Sequence, residues 1–211
     1  MTKPVGAIVL AAGFSSRFGS SKLLAGLSSG KTVFQQTIER ITEAFPERFV
    51  VTRPEMVAAL QDLAQGTSIL SFEHADQGMG ATLAFAAQQI GDWDGCVVCL
   101  GDMPFIETST YRRIAELVTT GSIVTPTFES KMGNPVAFGK YLYTDLKALT
   151  GESGSSCNTA LHKWLDLPCN QFRVRFSKNL DKRPALLGCR YHAVCPGQRL
   201  AALEQPVDKC S

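Results

Sequence analysis

Four consecutive apolar residues, Ala7-Ile8-Val9-Leu10, open the pattern and predict a buried first strand that runs into small residues. Residues 23–31 hold no sustained period and are expected as a loop or short hairpin. From Thr32 the apolar positions Phe34, Ile38, Ile41 and Phe45 recur at helical spacing, so a helix should start there with one face laid on a sheet. Arg48-Phe49-Val50-Val51-Thr52 predicts a second strand. Pro54 suits the first turn of a helix through Val57, Leu60 and Leu63, and Gly66 its stop. A third strand at 69–72, a loop over 73–82 and a helix over 83–90 follow. Cys96-Val97-Val98-Cys99-Leu100 is apolar throughout, as a strand covered on both faces would be.

Beyond it the pattern predicts a helix from about 108 with Tyr111, Ile114 and Val118 inward, a strand at 122–126 and a helix near 141–149. In the strand at 171–176, Phe172, Val174 and Phe176 alternate with polar residues, as in a half-exposed edge strand. Successive strand–helix units imply an α/β protein of Rossmann-like, three-layer α/β/α type, with a mainly parallel sheet. Its ligands belong at the C-terminal ends of the strands.

Composition narrows the partners. The 211 residues suit one sizeable domain, and no Pro/Gly/Ser-rich linker divides them. Formal charge is +2 and the basic residues are scattered except for Lys178, Lys182 and Arg183, which read as a solvated loop, so no nucleic-acid face is expected. The residues before the first strand leave no room for a signal peptide, and no apolar run approaches the roughly 20 residues of a membrane span. A cytoplasmic protein without a membrane partner is the expectation. Seven cysteines lie mostly in apolar segments, as reduced thiols do. Cys96 and Cys99 spell C-x-x-C, but residues three apart on a strand face opposite ways, which argues against a shared metal or disulfide. Cys189, Cys195 and Cys210 are too loosely spaced for a zinc site.

Two loops carry the chemistry. After the first strand come Ala11, Ala12, Gly13, Phe14, Ser15, Ser16, Arg17, Phe18, Gly19, Ser20, Ser21 and Lys22, in which small residues let backbone amides approach an anion. Arg17 and Lys22 add a planar fork and a compact ammonium. A P-loop is excluded because Lys22 does not follow the second glycine, and the dinucleotide fingerprint because its glycine triplet is missing. The second loop, Gly101-Asp102-Met103-Pro104, sets a carboxylate at the tip of the apolar strand, where Mg²⁺ would meet phosphates. The other possibility, Asp102 as a helix cap, requires the next helix to start earlier than its pattern allows. His74, His162 and His192 share no motif, and each is expected at the surface.

The string L-A-A-G-x-S-x-R-x-G-x-x-K, filled by Leu10 to Lys22, resembles the opening motif of the MobA-like nucleotidyltransferases, which include molybdenum cofactor cytidylyltransferase and guanylyltransferase, and Gly101-Asp102-Met103-Pro104 is similar to their metal-binding motif. The resemblance covers residues 5–138 well and the remainder poorly. It implies the nucleotide-diphospho-sugar transferase type of fold with a small antiparallel acceptor-side portion, and a single nucleotidyltransferase domain over residues 1–211. Arg17, Lys22 and Asp102 are then catalytic. Leu10, Ala11, Ala12, Gly13, Ser15, Arg17, Lys22, Gly78, Met79, Thr82 and Asp102 bind the nucleotide, with Gly78, Met79, Thr82 and Leu83 matching the segment beside the nucleobase. Asp102, Asn179 and Asp181 hold Mg²⁺.

The partners implied are a nucleoside triphosphate and a small phosphorylated acceptor. L-A-A-G rather than L-A-G-G resembles the cytidylyltransferase branch, which implies CTP and a molybdopterin-type cofactor. The alternatives are another nucleotide such as GTP with a sugar or polyol phosphate, and a nucleotide-binding domain that has lost turnover. The chain leaves the family pattern at Asn134, where His is usual, at Ser156, where Arg is usual, and at Asn179, where Asp is usual; residues 185–211 match nothing in it.

Overall fold

The computed structural model describes residues 3–14, 21–128 and 131–151, together with the backbone of two strands at 172–178 and 189–194. The nine described strands join in one sheet in the order β3-β2-β1-β4-β7-β5-β8-β9, with β6 paired to β5. β1 (Val5–Leu10) is an interior strand, buried along nearly its whole length and parallel to both β2 (Arg48–Thr52) and β4 (Gly95–Leu100). β3 (Ser68–Ser71) extends this parallel half. β7 (Val136–Gly139) runs antiparallel between β4 and β5 (Ser122–Phe128), so β5 points the same way as the parallel half. β6 (Lys131–Met132) turns back on the tip of β5. β8 (Phe172–Lys178) is parallel to β5, and β9 (Cys189–Val194) is antiparallel to β8.

Helices cover both faces because adjacent residues of a buried strand send side chains to opposite sides. Ala7, Val9 and Cys99 face α1 (Val33–Ala44), α2 (Pro54–Gln61) and α4 (Thr108–Glu116), where Phe34, Ile38, Ile41, Met56, Leu60, Tyr111 and Ile114 fill the layer. Ile8, Leu10, Cys96 and Val98 face α3 (Met79–Gln88) and α5 (Tyr143–Lys147) through Leu83, Ala86, Ala87 and Leu146. Cys96 and Cys99 therefore belong to different cores, as the strand period required. Each fully buried Ile, Leu or Phe in these layers contributes about 1.5–3 kcal/mol.

Local signals explain the helix boundaries. Thr32 caps α1 by accepting from the Gln35 amide at 3.1 Å. Pro54 opens α2, which ends at Gln61, before the expected Gly66 stop; Gln65 and Gly66 instead form a left-handed turn at φ 51° and 73° into β3. The inward side of α2 is Met56 and Leu60, with Val57 only partly covered.

Three further expectations are corrected. α3 starts at Met79, not at 83, because Gly78 at φ 105° turns the chain and the small residues after it are already helical. Residues 140–147 form a 3₁₀ turn followed by a short helix rather than one helix to 149. β8 is not an edge strand: it lies between β5 and β9, and β9 comes from the C-terminal stretch that matched no pattern. Among the described residues no helix is long and apolar enough to cross a membrane.

Candidate active site

The sheet supplies a switch point. From β1 the chain moves outward through β2 to β3, and from β3 it returns across to β4 on the other side of β1. The loops after β1 and β4 therefore part above adjacent strand ends, where α/β sheets bind ligands. Leu10 and Leu100 are register partners, and the Gly101 amide donates to Leu10 O at 2.9 Å, so the two loops leave the sheet side by side.

Gly101 brings them closer still. A Cβ there would lie 3.2 Å from Ala11 Cβ and 3.5 Å from Leu23 Cδ2, so any side chain would press the loops apart. Lys22 opens a 3₁₀ turn (Lys22–Leu24) that is anchored by the buried Leu23 and by the Val33 amide donating to Ala25 O at 2.9 Å. With both ends held, Lys22 Nζ donates to Asp102 Oδ2 at 2.9 Å across the crevice. Both side chains remain partly exposed, at 42% and 35%, as groups that meet a dissolved ligand should. Asp102 does not cap α4, whose N-cap is Glu107. Arg40 ties the intervening turn to α1 by pairing with Glu107 at 2.7 Å.

The N-terminus of α3 approaches β1 through the second core, where Met79 packs against the cluster containing Leu10. Thr82 is buried and its hydroxyl donates to Gly78 O at 3.1 Å, so it braces the turn that Gly78 makes. The chain after α5 presses on the same turn, and a Cβ on Gly80 would lie 2.6 Å from Thr150 O.

Lys22, Asp102, Leu10, Ala11, Ala12 and Gly13 thus meet at the switch point, and Gly78, Met79 and Thr82 stand on the face beside it. Ser15, Arg17, Ser156, Asn179 and Asp181 lie outside the described residues, as does His162. Asn134 is half-buried and enters β7 through a cis peptide bond to Pro135. His74 is exposed against the ring of Phe72. Among the described residues no three His, Cys, Asp or Glu side chains cluster as a metal cage.

Two residues that the pattern did not single out hold the loop after β1. Thr52 Oγ1 donates to Ala11 O at 2.9 Å, and Arg53 Nη1 donates to Gly13 O at 2.7 Å while its guanidinium lies 4.7 Å from the centre of the Phe14 ring. The only sequence signal for Arg53 was its place before a helix-opening proline at the end of β2.

A mixed sheet of mostly parallel strands with helices on both faces is the α/β fold of the nucleotide-diphospho-sugar transferase type. The profile of the MobA-like NTP transferase domain matches residues 7–166, and the chain belongs to that family. The fold is similar to that of Rv0371c from Mycobacterium tuberculosis H37Rv, at TM-score 0.71 and 23% identity, covering 84% of this chain and 90% of that one. The same mycobacterial protein in complex with manganese superposes at TM-score 0.64. A nucleotidyl transferase from Methanothermobacter thermautotroptrophicus gives TM-score 0.65 at 24% identity, over 79% of this chain and 84% of that one. In sequence, the bifunctional protein GlmU of Sphingopyxis alaskensis is 27% identical over 148 residues, 67% of this chain and 32% of that one. The chain spans about a third of the length of that relative.

Proposed function

We propose that this chain transfers a nucleoside monophosphate from a nucleoside triphosphate to the phosphate of a small acceptor, with CTP as donor and a molybdopterin-type cofactor as acceptor. The observation that carries the proposal is the meeting of Lys22 and Asp102, 2.9 Å apart at the switch point, in a chain of the MobA-like NTP transferase domain family. An acceptor phosphate oxygen attacks the α-phosphorus. The bond to the bridging oxygen breaks, and its electron pair leaves with pyrophosphate. The attacking oxygen arrives ionised, so no general base is required, and catalysis is alignment and charge neutralisation. Lys22, joined by Arg17, offsets the charge of the triphosphate and of the departing pyrophosphate. Ala11, Ala12, Gly13 and Ser15 cradle the phosphates, and Gly78, Met79 and Thr82 stand beside the nucleobase.

The residues fit a hard divalent cation. Mg²⁺ is held by one or two carboxylates together with substrate phosphates and water rather than by an all-protein cage. Among the described residues Asp102 is such a carboxylate, partly exposed at the crevice. Asp102 would hold the ion, with Asn179 and Asp181 proposed as further ligands. When bound, the ion would neutralise phosphate charge.

A second reading replaces the cofactor by a sugar or polyol phosphate, with GTP or another nucleotide as donor; Asn134, standing where the cofactor transferases carry His, favours it. The deciding experiment measures binding of the four nucleoside triphosphates with Mg²⁺, then pyrophosphate release with molybdopterin cofactor or sugar phosphates as acceptor. CTP preference with cofactor turnover is the expected result. Preference for GTP or ATP overturns the cytidylyltransferase assignment. Binding without turnover on any acceptor overturns the enzyme and leaves a nucleotide-binding domain.

A further inference from the structure

We propose that Arg53 is a positioning residue that aims the backbone amides of the nucleotide loop, an inference that rests on the nucleotide-binding role proposed above. β1 ends at Leu10, yet the hydrogen bonding between β1 and β2 does not stop there. The Ala11 amide donates to Val51 O at 2.8 Å, and then side chains take over from backbone. Thr52 Oγ1 captures Ala11 O and Arg53 Nη1 captures Gly13 O, at 2.9 and 2.7 Å. Thr52, the last residue of β2, and Arg53, which follows it, thus pull alternate carbonyls of the loop toward the end of β2.

The consequence follows from peptide geometry. Both peptides are trans, and in a trans peptide the N–H points opposite to the C=O. With Ala11 O and Gly13 O turned toward β2, the amides of Ala12 and Phe14 are turned away from it, on the side where β4 and Asp102 lie. Two donors at alternate positions then face the crevice. A Cβ on Gly13 would meet no atom of the described residues within 4 Å, so among these residues the backbone there is accessible to an anion.

Arg53 is built for this task rather than for solvent. Its side chain is 13% exposed, Nε lies 2.9 Å from Glu55 Oε1, and the guanidinium plane covers one side of the Phe14 ring. The Phe14 ring and the Glu55 carboxylate flank the guanidinium while Nη1 makes its hydrogen bond to Gly13 O. Lysine would keep the charge and lose both the fork and the stack. Glu55 also offsets the arginine's charge, so Arg53 acts through the loop rather than as a further phosphate cation.

The test compares Arg53→Lys and Phe14→Leu with the unsubstituted chain, reading Kd for each nucleoside triphosphate by titration calorimetry, KM and kcat for donor and acceptor separately, and Tm. Arg53→Lys is expected to weaken nucleotide binding about tenfold, the equivalent of one hydrogen bond to a charged group. KM for the donor should rise in step, while acceptor KM stays put. Phe14→Leu, at a half-exposed position, keeps the hydrogen bond and loses the stack, and should weaken nucleotide binding by a smaller factor without loss of fold. Nucleotide Kd unchanged in both folded variants, with only Tm lowered, overturns the inference and leaves Arg53 a structural tie. Should Arg53→Lys not fold, an unchanged Kd in Phe14→Leu overturns it and a raised one supports it. No nucleotide binding by the unsubstituted chain overturns this inference together with the proposed function.

Discussion

Lys22 Nζ and Asp102 Oδ2 lie 2.9 Å apart although 80 residues separate them in the chain. The ammonium that would grip phosphate and the carboxylate that would hold a cation occupy one another before either meets a ligand. A cation approaching Asp102 alone must displace Lys22, whereas a nucleotide–metal pair offers Lys22 a phosphate as it takes its carboxylate. Ligand and metal are therefore expected to bind together. Electron paramagnetic resonance titration of Mn²⁺ should show weak binding to the free protein and tighter binding with nucleotide present. Lys22→Met should strengthen Mn²⁺ binding to the free protein; the same or weaker binding in that variant would contradict the displacement.

Asp102→Asn preserves size and removes the charge. Because the side chain is partly exposed and sits in a turn, the fold should tolerate the change within about 0.5 kcal/mol, the usual range for surface positions. Turnover should fall by about 100-fold or more, as when a preorganised charge is taken from a transition state. Pyrophosphate release and thermal melting, measured on the same preparation, separate the two effects. Full activity in the variant would remove Asp102 from the site.

The legibility of this chain follows from where its information lies. β1, β2 and β4 were readable because strands buried on both faces must be apolar throughout, and α1 because Thr32 caps it and its inward residues keep helical spacing. The start of α3 is not readable, since Gly78-Met79-Gly80-Ala81 has loop-like composition, although the chain is helical from Met79 and Gly80 packs against Thr150. The alternation of β8 suggests an edge, but alternation reports which face is wet, not which strands pair. Its partner β9 carries no pattern that ties it to β8. Arg53 reaches the loop 40 residues before it, and nothing local in the sequence marks such a contact.

Gly80→Ala tests the packing of α3 against the segment after α5. The added methyl would fall 2.6 Å from Thr150 O, a backbone atom that cannot rotate away. The expected cost is about 1–3 kcal/mol, typical of overpacking, read as a lower urea midpoint at unchanged m-value. Ala81→Gly, which adds no bulk at the next position, should lack this clash and cost only about 1 kcal/mol of helix propensity. Equal midpoints for Gly80→Ala and the unsubstituted chain would mean that the clash costs no more than the roughly 1 kcal/mol that alanine gains over glycine in a helix.

Alkaline pH should destabilise the fold through buried acids that cannot ionise in place. Burial pushes the Cys96 thiol from its ordinary 9.0 up to about 12 and raises Cys99 well above its usual range, with the neighbouring Cys96 adding to the shift. Burial likewise raises the Tyr111 and Tyr143 hydroxyls. Below pH 9 both folded and unfolded chains keep the Cys96 proton, and stability does not depend on it. Above pH 9 the unfolded chain releases that proton while the folded one holds it, so stability falls as pH rises, until the folded thiol ionises near pH 12. The slope from one such thiol is about 1.4 kcal/mol per pH unit. Urea denaturation between pH 8 and 11 should show the decline, and Cys96→Ala should make it shallower whatever the variant does to stability at pH 8. An identical slope in the variant would mean that Cys96 ionises as readily in the fold as outside it, and the strand that carries Asp102 to the site would then be open to water.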